Sequence, residues 1–433
     1  MSIELEINPL INDADADEDE RIKALASYME TKPSLPSLCA EINNHIHTIY
    51  SFSPYTPSMA ALKARLAGLE AAGSVDHDSY AAASEMRQAC KLLGLGCVTG
   101  FEIRVSLKHT EFSKKKINSP DSEGIIYMTI QGVPDQGAIA SKVNDFLAPI
   151  SAARQKRNRS MVDNLNTIIS SSGIAPLSYD KDISPLSMSH KGGSVTERHI
   201  LHALSLKLID EAGQGPGLLT FLKDKFNVEV SGKVKTILED KDNPYYAWDL
   251  LGLLKSSFND RVFIQPDENE CPFVEKATAF ALSINAIPSY AYLGDISESP
   301  TGDKKAEKFE DDFLDALIPR LKEFGFLGIT YMPPRNTKAQ LERLRSLCAQ
   351  NSFLEICGVD INSPRQVFNC PEIRQPIFSA LIDSTWALAA HEAVAANDNT
   401  RGLFNPNDPL AGKALDERIA AFAAMGRDAI RKP

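Results

Sequence analysis

The residues with the clearest chemistry in this chain are two histidines. His45 and His47 lie two apart in CAEINNHIHT, a run with the period of a strand, so both imidazoles leave one face. Imidazole nitrogen suits zinc, iron and manganese. Alone, an H-x-H among 8 histidines is a weak signal. Its position strengthens it, because α/β sheets and barrels collect their ligands at the C-terminal ends of strands. Asp76-His77-Asp78 follows the next strand-like run, Glu102 falls near the next, and Asp360 ends a fourth, LEICGVD. Asp78 reads equally well as a helix N-cap. On one rim, these imidazoles and carboxylates would make a ligand set for a divalent cation.

The elements that must position them alternate. From residue 39 to about 105 the pattern is strand, helix, strand, helix, strand. Ser58 is read as the N-cap of MAALKARLAGLEAAG, with Gly73 as its stop and a short strand at Ser74–Val75. The helix YAAASEMRQACKLLG should close at Gly94, and GCVTGFEIRVSL should be a strand. IIYMTIQGV resumes as a strand after a polar loop, and strand patterns then nearly vanish between about 140 and 260. The βα rhythm returns with RVFIQP, SYAYLGD, FLGITYMPP and LEICGVD. The division expected is an acidic extension over 1–38, an α/β unit over 39–140 and 261–390 interrupted by a helical insertion over 141–260, and a helical tail over 391–433. The fold class is α/β with an inserted helical subdomain.

Composition narrows the function. The 433 residues carry 46 Lys and Arg against 57 Asp and Glu, a net charge of −11, which disfavours nucleic acid as a partner. No apolar run approaches the roughly 20 residues of a membrane helix, and the opening MSIELEINPL lacks the pattern of a secretory signal. Seven cysteines without C-x-x-C spacing read as free thiols, so a soluble cytoplasmic protein is expected. The acidic run Asp13 to Glu20 reads as a solvated extension.

HIHTIYS, SVDHDSY and VTGFEIRV, with the intervening Ala/Leu-rich helix, resemble the opening motifs of the PHP (polymerase and histidinol phosphatase) superfamily: H-x-H-T-x-x-S-D-G, D-H-D and G-x-E. FLGITYMPPRNTKAQLERLRSLCAQNSFLEICGVDINS resembles its closing segment, which leads to G-S-D-x-H. RQKRNRSMVDNLN and VTERHILHAL are loosely similar to the helical subdomain of the branch acting on nucleotide 5′-monophosphates and nucleoside bisphosphates. The resemblance spans about residues 39 to 390. It implies a distorted (β/α)7 barrel with an inserted helical subdomain and up to three metal ions at the mouth.

Carried over by position, the resemblance implies a complete first metal site of His45, His47, Glu102 and Asp360. The other sites are depleted. Phe52 stands where the family has Asp, Asn362 and Gln265 stand where it has His, and the strand IIYMTIQG offers no His, although His109 lies nearby in the polar loop. His77 is the one third-site ligand retained. The expectation is one divalent ion per chain, manganese, zinc, iron or magnesium, activating water against a small phosphomonoester, perhaps a nucleotide. Glu102 or Asp360 would orient the water, and His77 would serve as general acid, phosphate donor or a plain rim residue. Arg198 and His199 match the branch's substrate-binding pair, with Lys191 and Arg335 as alternatives. His202 and His391 read as packing residues, Arg154, Arg157 and Arg159 as surface ion-pair formers, and Tyr245, Tyr246 and Trp248 as helix-packing or base-stacking rings. The competing reading is a degenerate, non-catalytic barrel that binds metal or a phosphorylated ligand. A hydrolase of non-phosphate carbonyl substrates stays open as well. The sequence gives no oligomeric state.

Overall fold

Pro57 fixes where the first barrel helix begins, because it is pre-set for a first helical turn and needs no amide partner there. Thr56, not Ser58, is the N-cap, its side chain accepting from the amide of Met59, and the helix runs Pro57–Leu66. In this computed structural model, residues 7–31, 34–296 and 307–431 are described. Along them, α1 (Glu18–Glu30) precedes β1 (Ile42–Ile46), α2 (Pro57–Leu66), β2 (Ala71–His77), α3 (Ala83–Leu93), β3 (Gly96–Ser106) and β4 (Ile125–Gln131). Five helices follow: α4 (Gly137–Ile169), α5 (Glu197–Ala212), α6 (Pro216–Phe226), α7 (Gly232–Glu239) and α8 (Tyr246–Val262). Then come α9 (Val274–Ser283), β5 (Ile287–Ala291), α10 (Leu314–Glu323), β6 (Gly328–Tyr331), α11 (Lys338–Gln350), β7 (Leu354–Cys357), α12 (Ala380–Asn397) and α13 (Leu415–Arg431).

The seven strands form one sheet in the order β1 to β7. All neighbours are parallel except β4, which runs antiparallel to both β3 and β5. Past its last strand the sheet folds back on its first. Ile361 accepts the amide of His47 at 2.9 Å and donates to the carbonyl of His45 at 3.0 Å. The result is a nearly closed seven-stranded α/β barrel with helical additions.

Three expectations about elements need correction. Gly73 does not end a helix; it lies inside β2, where a Cβ would stand 2.8 Å from the Val98 carbonyl oxygen and 3.1 Å from the Asn44 Cα. The Ala-Ala-Gly run is small because three strands crowd there, and small residues mimic a helix in composition. RVFIQP is not a strand either. Arg261 and Val262 finish α8, and Val262 packs with the helical cluster, a case in which a short apolar run does not reveal its own period. The acidic N-terminus is docked, not solvated: Ile11, Leu25 and Tyr28 are buried. Asp17 and Glu20 form a capping box. Arg21 is buried and forks onto Glu85 at 2.9 and 2.6 Å.

The helices between β4 and β5 have their own apolar core. Met161 and Leu165 of α4, Ile200 and Leu204 of α5, and Leu250 and Leu254 of α8 meet there, and Phe52 from the loop after β1 joins them. Among the described residues, no helix is long and apolar enough to cross a membrane.

Candidate metal centre

Strand direction and closure bring the candidate ligands to one end of the barrel. His45 lies in β1 and His47 one residue past it, His77 ends β2, Glu102 sits opposite His77 in β3, and Asp360 follows β7. Gly358 permits the final approach, since a Cβ there would lie 2.5 Å from the His45 amide nitrogen. His47 Nε2 is 3.3 Å from Asp360 Oδ1 and 3.9 Å from Glu102 Oε2, and His45 Nε2 is 3.8 Å from Glu102 Oε1. Two ligands of a tetrahedral ion at its usual bond lengths stand roughly 3.4 Å apart. These three spacings bracket that value, and the donors, imidazole nitrogen and carboxylate oxygen, are of the kind that a borderline or hard divalent ion takes. Two overlapping groups have donor atoms that all lie within 4.8 Å of one another: His45, His47 and Asp360, and His47, His77 and Glu102.

His77 sits against this set: its Nδ1 is 2.8 Å from Glu102 Oε2, a hydrogen-bond distance, and its ring stacks on His47 at 4.5 Å between centroids. The side chain of Asp360 is 36% exposed and that of His77 24%, against 1% for His47 and 6% for Glu102, so the site opens on the Asp360 and His77 side.

Burial and neighbouring charge decide the protonation states. Burial pushes the Glu102 carboxyl upward, only partly countered by His45 and His47. Burial also lowers His45 and holds His77 well below the ordinary imidazole range, with His47 and Arg154 adding to the depression at His77. At His47 burial acts in the same sense but is outweighed by Asp360 and Glu102, so that imidazole is raised. For Asp360 burial is outweighed by the bond from His47 and by the charges of His47, His45 and Arg198, which keep the carboxylate ionised.

No family model matches this chain, and no curated relative matches it. Two solved structures align over most of it. One is a candidate metal-dependent phosphoesterase from Bifidobacterium adolescentis, 18% identical, covering 80% of this chain and 98% of that one at a TM-score of 0.48. The other is an amidohydrolase from Chromobacterium violaceum with bound sulfate and no metal, 15% identical, covering 76% and 90% at 0.47. At such identities and TM-scores, neither bears on what this chain does.

The substituted positions have other partners. Phe52 is buried with its ring 4.9 Å from that of His199 and 4.8 Å from that of Trp248. Asn362 donates to Asp360 Oδ1 at 2.7 Å, while its Oδ1 accepts from Arg198 at 2.6 Å. Gln265 is exposed and donates to the Asp121 carbonyl, away from the imidazoles. His109, in the polar loop, pairs with Glu275 of α9. On β4, Tyr127 faces His77 at 5.6 Å.

Arg198 therefore reaches the mouth, one hydrogen bond from the residue that braces Asp360. His199 does not join it: the ring is buried, Nδ1 accepts from the Thr196 amide at 2.9 Å, and burial lowers its pKa to about 3. It caps its own helix. Arg335 donates to the Leu293 carbonyl, and Lys191 lies 3.3 Å from the Ala16 carbonyl. His391 is structural, bonded to the Asn285 carbonyl and the Leu403 amide. Tyr246 holds the Gly215 amide and the Leu238 carbonyl, while Trp248 packs on Phe52 and His202.

Two features escaped the sequence. Ser51 donates to Asp76 and lies beside His47 Nδ1; a serine four residues after a histidine is too common to signal this. Arg154 and Arg157 are not surface groups. They are buried with Arg104 among Asp78, Glu197 and Glu270, and only Arg159 makes the exposed pair expected, with Asp180. Asp78 belongs to that cluster and caps nothing; α3 has no side-chain cap.

Proposed function

We propose that this chain is a metal-dependent hydrolase of the PHP kind that cleaves a small phosphomonoester with one divalent ion at His45, His47, Glu102 and Asp360. The convergence of those four side chains on a mouth that also holds Arg198 carries the reading. Manganese, zinc, iron and magnesium all suit such donors. When bound, a divalent ion supplies Lewis acidity to a phosphoryl oxygen and makes water a better nucleophile.

The chain's own groups do the rest. Arg198 offers a guanidinium that pairs with an anionic oxygen more strongly than with its present amide partner, Asn362. His77 is neutral at ordinary pH. With Nδ1–H donated to Glu102, its Nε2 carries the lone pair, so it enters the reaction as a proton acceptor and then returns that proton to the leaving oxygen. Asp360 stays ionised and orients the attacking water through its exposed edge. The cysteines among the described residues are all unpaired, which suits a reducing cytoplasm.

A second reading, a non-catalytic barrel that binds a metal or a phosphorylated ligand, draws on Phe52 and Asn362. Phe52 has no ligand atom, and the oxygen of Asn362 is already taken by Arg198. Metal content of the purified full-length protein, followed by turnover of a panel of phosphomonoesters, separates the two. About one equivalent with turnover supports the hydrolase; one equivalent with no hydrolysis of any phosphoester supports the binding barrel. Two or three equivalents would refute the single-ion assignment.

A further inference from the structure

His77 and Arg198 come from different parts of the chain, one from the end of β2 and the other from the first turn of α5. Each has a carboxylate as its sequence neighbour, Asp78 and Glu197. Both carboxylates bond the same guanidinium. Arg154, in the middle of α4, donates from Nη1 to Asp78 Oδ2 and from Nη2 to Glu197 Oε2 at 2.9 Å. Its side chain is only 3% exposed, and Nε has no hydrogen-bond partner, the nearest carboxylate oxygen being that of Glu270 at 3.9 Å. The residue is thus hydrogen-bonded through the two tips of its fork, with Glu270 as an ion-pair neighbour of Nε.

The two anchors are constrained in different ways. Asp78 has φ of 50°, in the left-handed region that few residues other than glycine occupy, and its amide donates to the Glu102 carbonyl at 2.8 Å. The chain therefore turns sharply directly after His77, and Arg154 bonds the side chain at that turn. Glu197 is the first residue of α5, and it also accepts from Arg104 at 3.1 Å and from Arg157. Glu270 accepts from Arg157 Nε at 2.5 Å and from Arg104. Arg104 and Arg157 thus serve the Glu197 and Glu270 end of the cluster. Arg154 is the member that spans to Asp78.

We propose that Arg154 is a positioning residue that fixes the separation between His77 and Arg198, so that an anion held by Arg198 meets the His77 imidazole. The inference rests on the functional reading above for the roles of those two residues. A rigid planar fork is needed because a lysine ammonium cannot hold both carboxylates at the same spacing.

The test uses full-length Arg154→Lys and Arg154→Met proteins, with manganese and inorganic phosphate as probes and hydrogen exchange as an independent readout. None of the four proposed metal ligands bonds Arg154, so manganese affinity should stay within about threefold of wild type. Phosphate affinity of the manganese-loaded protein should fall at least about tenfold in both variants, and kcat for any phosphomonoester turned over by about a hundredfold. Amide exchange at residues 77–79 and 196–198 should rise together. Unchanged phosphate affinity and exchange in a folded variant would overturn the proposal, as would full rescue by lysine, which would mean that charge suffices. If wild type binds no phosphate, the functional reading fails, and the paired exchange at the two anchors still decides the positioning claim. Should the methionine variant not fold, the lysine variant alone carries the test.

Discussion

Asp76 accepts the hydroxyl of Ser51 at 2.6 Å, and it does so directly behind His47, whose Nδ1 lies 3.3 Å from the same hydroxyl oxygen. Because the serine proton goes to the carboxylate, the oxygen is left to accept from Nδ1–H. That fixes the ring with Nε2 toward Asp360 and Glu102. Asp76 also holds the Thr48 amide at 2.7 Å, so one carboxylate shapes the loop and aims the His47 ring. Asp76→Asn should weaken manganese or zinc binding by about ten- to a hundredfold, and Ser51→Ala should weaken it in the same direction. Competition with a chelator of known affinity measures this. Wild-type affinity in both variants would show that His47 needs no such support.

Removing a proposed ligand should separate metal from fold. Asp360 is the most exposed of the four, and the barrel closes through the Ile361 backbone, not through the Asp360 side chain. Asp360→Ala should therefore lose the ion while melting within a few degrees of metal-free wild type. His47→Ala should also lose the ion, with a larger drop in melting temperature because a buried side chain is removed. Elemental analysis beside thermal denaturation checks both. Full metal content in either variant would remove that residue from the ligand set.

The pH dependence of stability should carry the mark of a buried imidazole. Burial lowers His391 to about 4, outweighing the bonds to the Asn285 and Gly132 backbone. Unfolded histidine titrates near 6.5, so the folded state resists protonation. Its contribution is fully present above about pH 6.5 and is lost as pH falls toward 4, by roughly 3 kcal/mol in all at about 1.4 kcal/mol per pH unit. His391→Gln cannot titrate, and its stability should fall less steeply between pH 6.5 and 4. Urea midpoints for the two proteins across that window provide the comparison. Parallel curves would mean that His391 is not the group responsible.

The candidate ligands were legible because their residue types are rare and strand ends gather them. His45, His47, His77, Glu102 and Asp360 needed only a strand's period and the rule that barrels put chemistry at one rim. What escaped depended on partners distant in sequence. Arg154 and Glu197 lie in polar-looking helices, and only folding reveals that they share a buried cluster with Asp78. Arg21 directly follows an acidic run that composition marks as solvated, yet Glu85 holds it in the interior. His199 carries the right residue type beside Arg198, but the capping bond to Thr196 turns its ring inward. Local pattern reports face and period; it does not report which charge will find a buried partner.

Gly73 offers a final test, since the same residue that misled the helix boundary should control strand packing. An added Cβ would meet the Val98 carbonyl oxygen at 2.8 Å and the Asn44 Cα at 3.1 Å, both backbone atoms that cannot rotate away. Gly73→Ala must therefore push β1 or β3 away from β2, and should cost about 1–3 kcal/mol, the usual penalty of overpacking. Gly412→Ala is the control, because a Cβ there meets no atom within 4 Å. β1 carries Asn44, the neighbour of His45, and β3 carries Glu102, so metal affinity should fall along with stability in the Gly73 variant and in the Gly412 variant neither should change. A Gly73→Ala protein with wild-type urea midpoint and metal affinity would mean that the strands at this point pack more loosely than the contact distances imply.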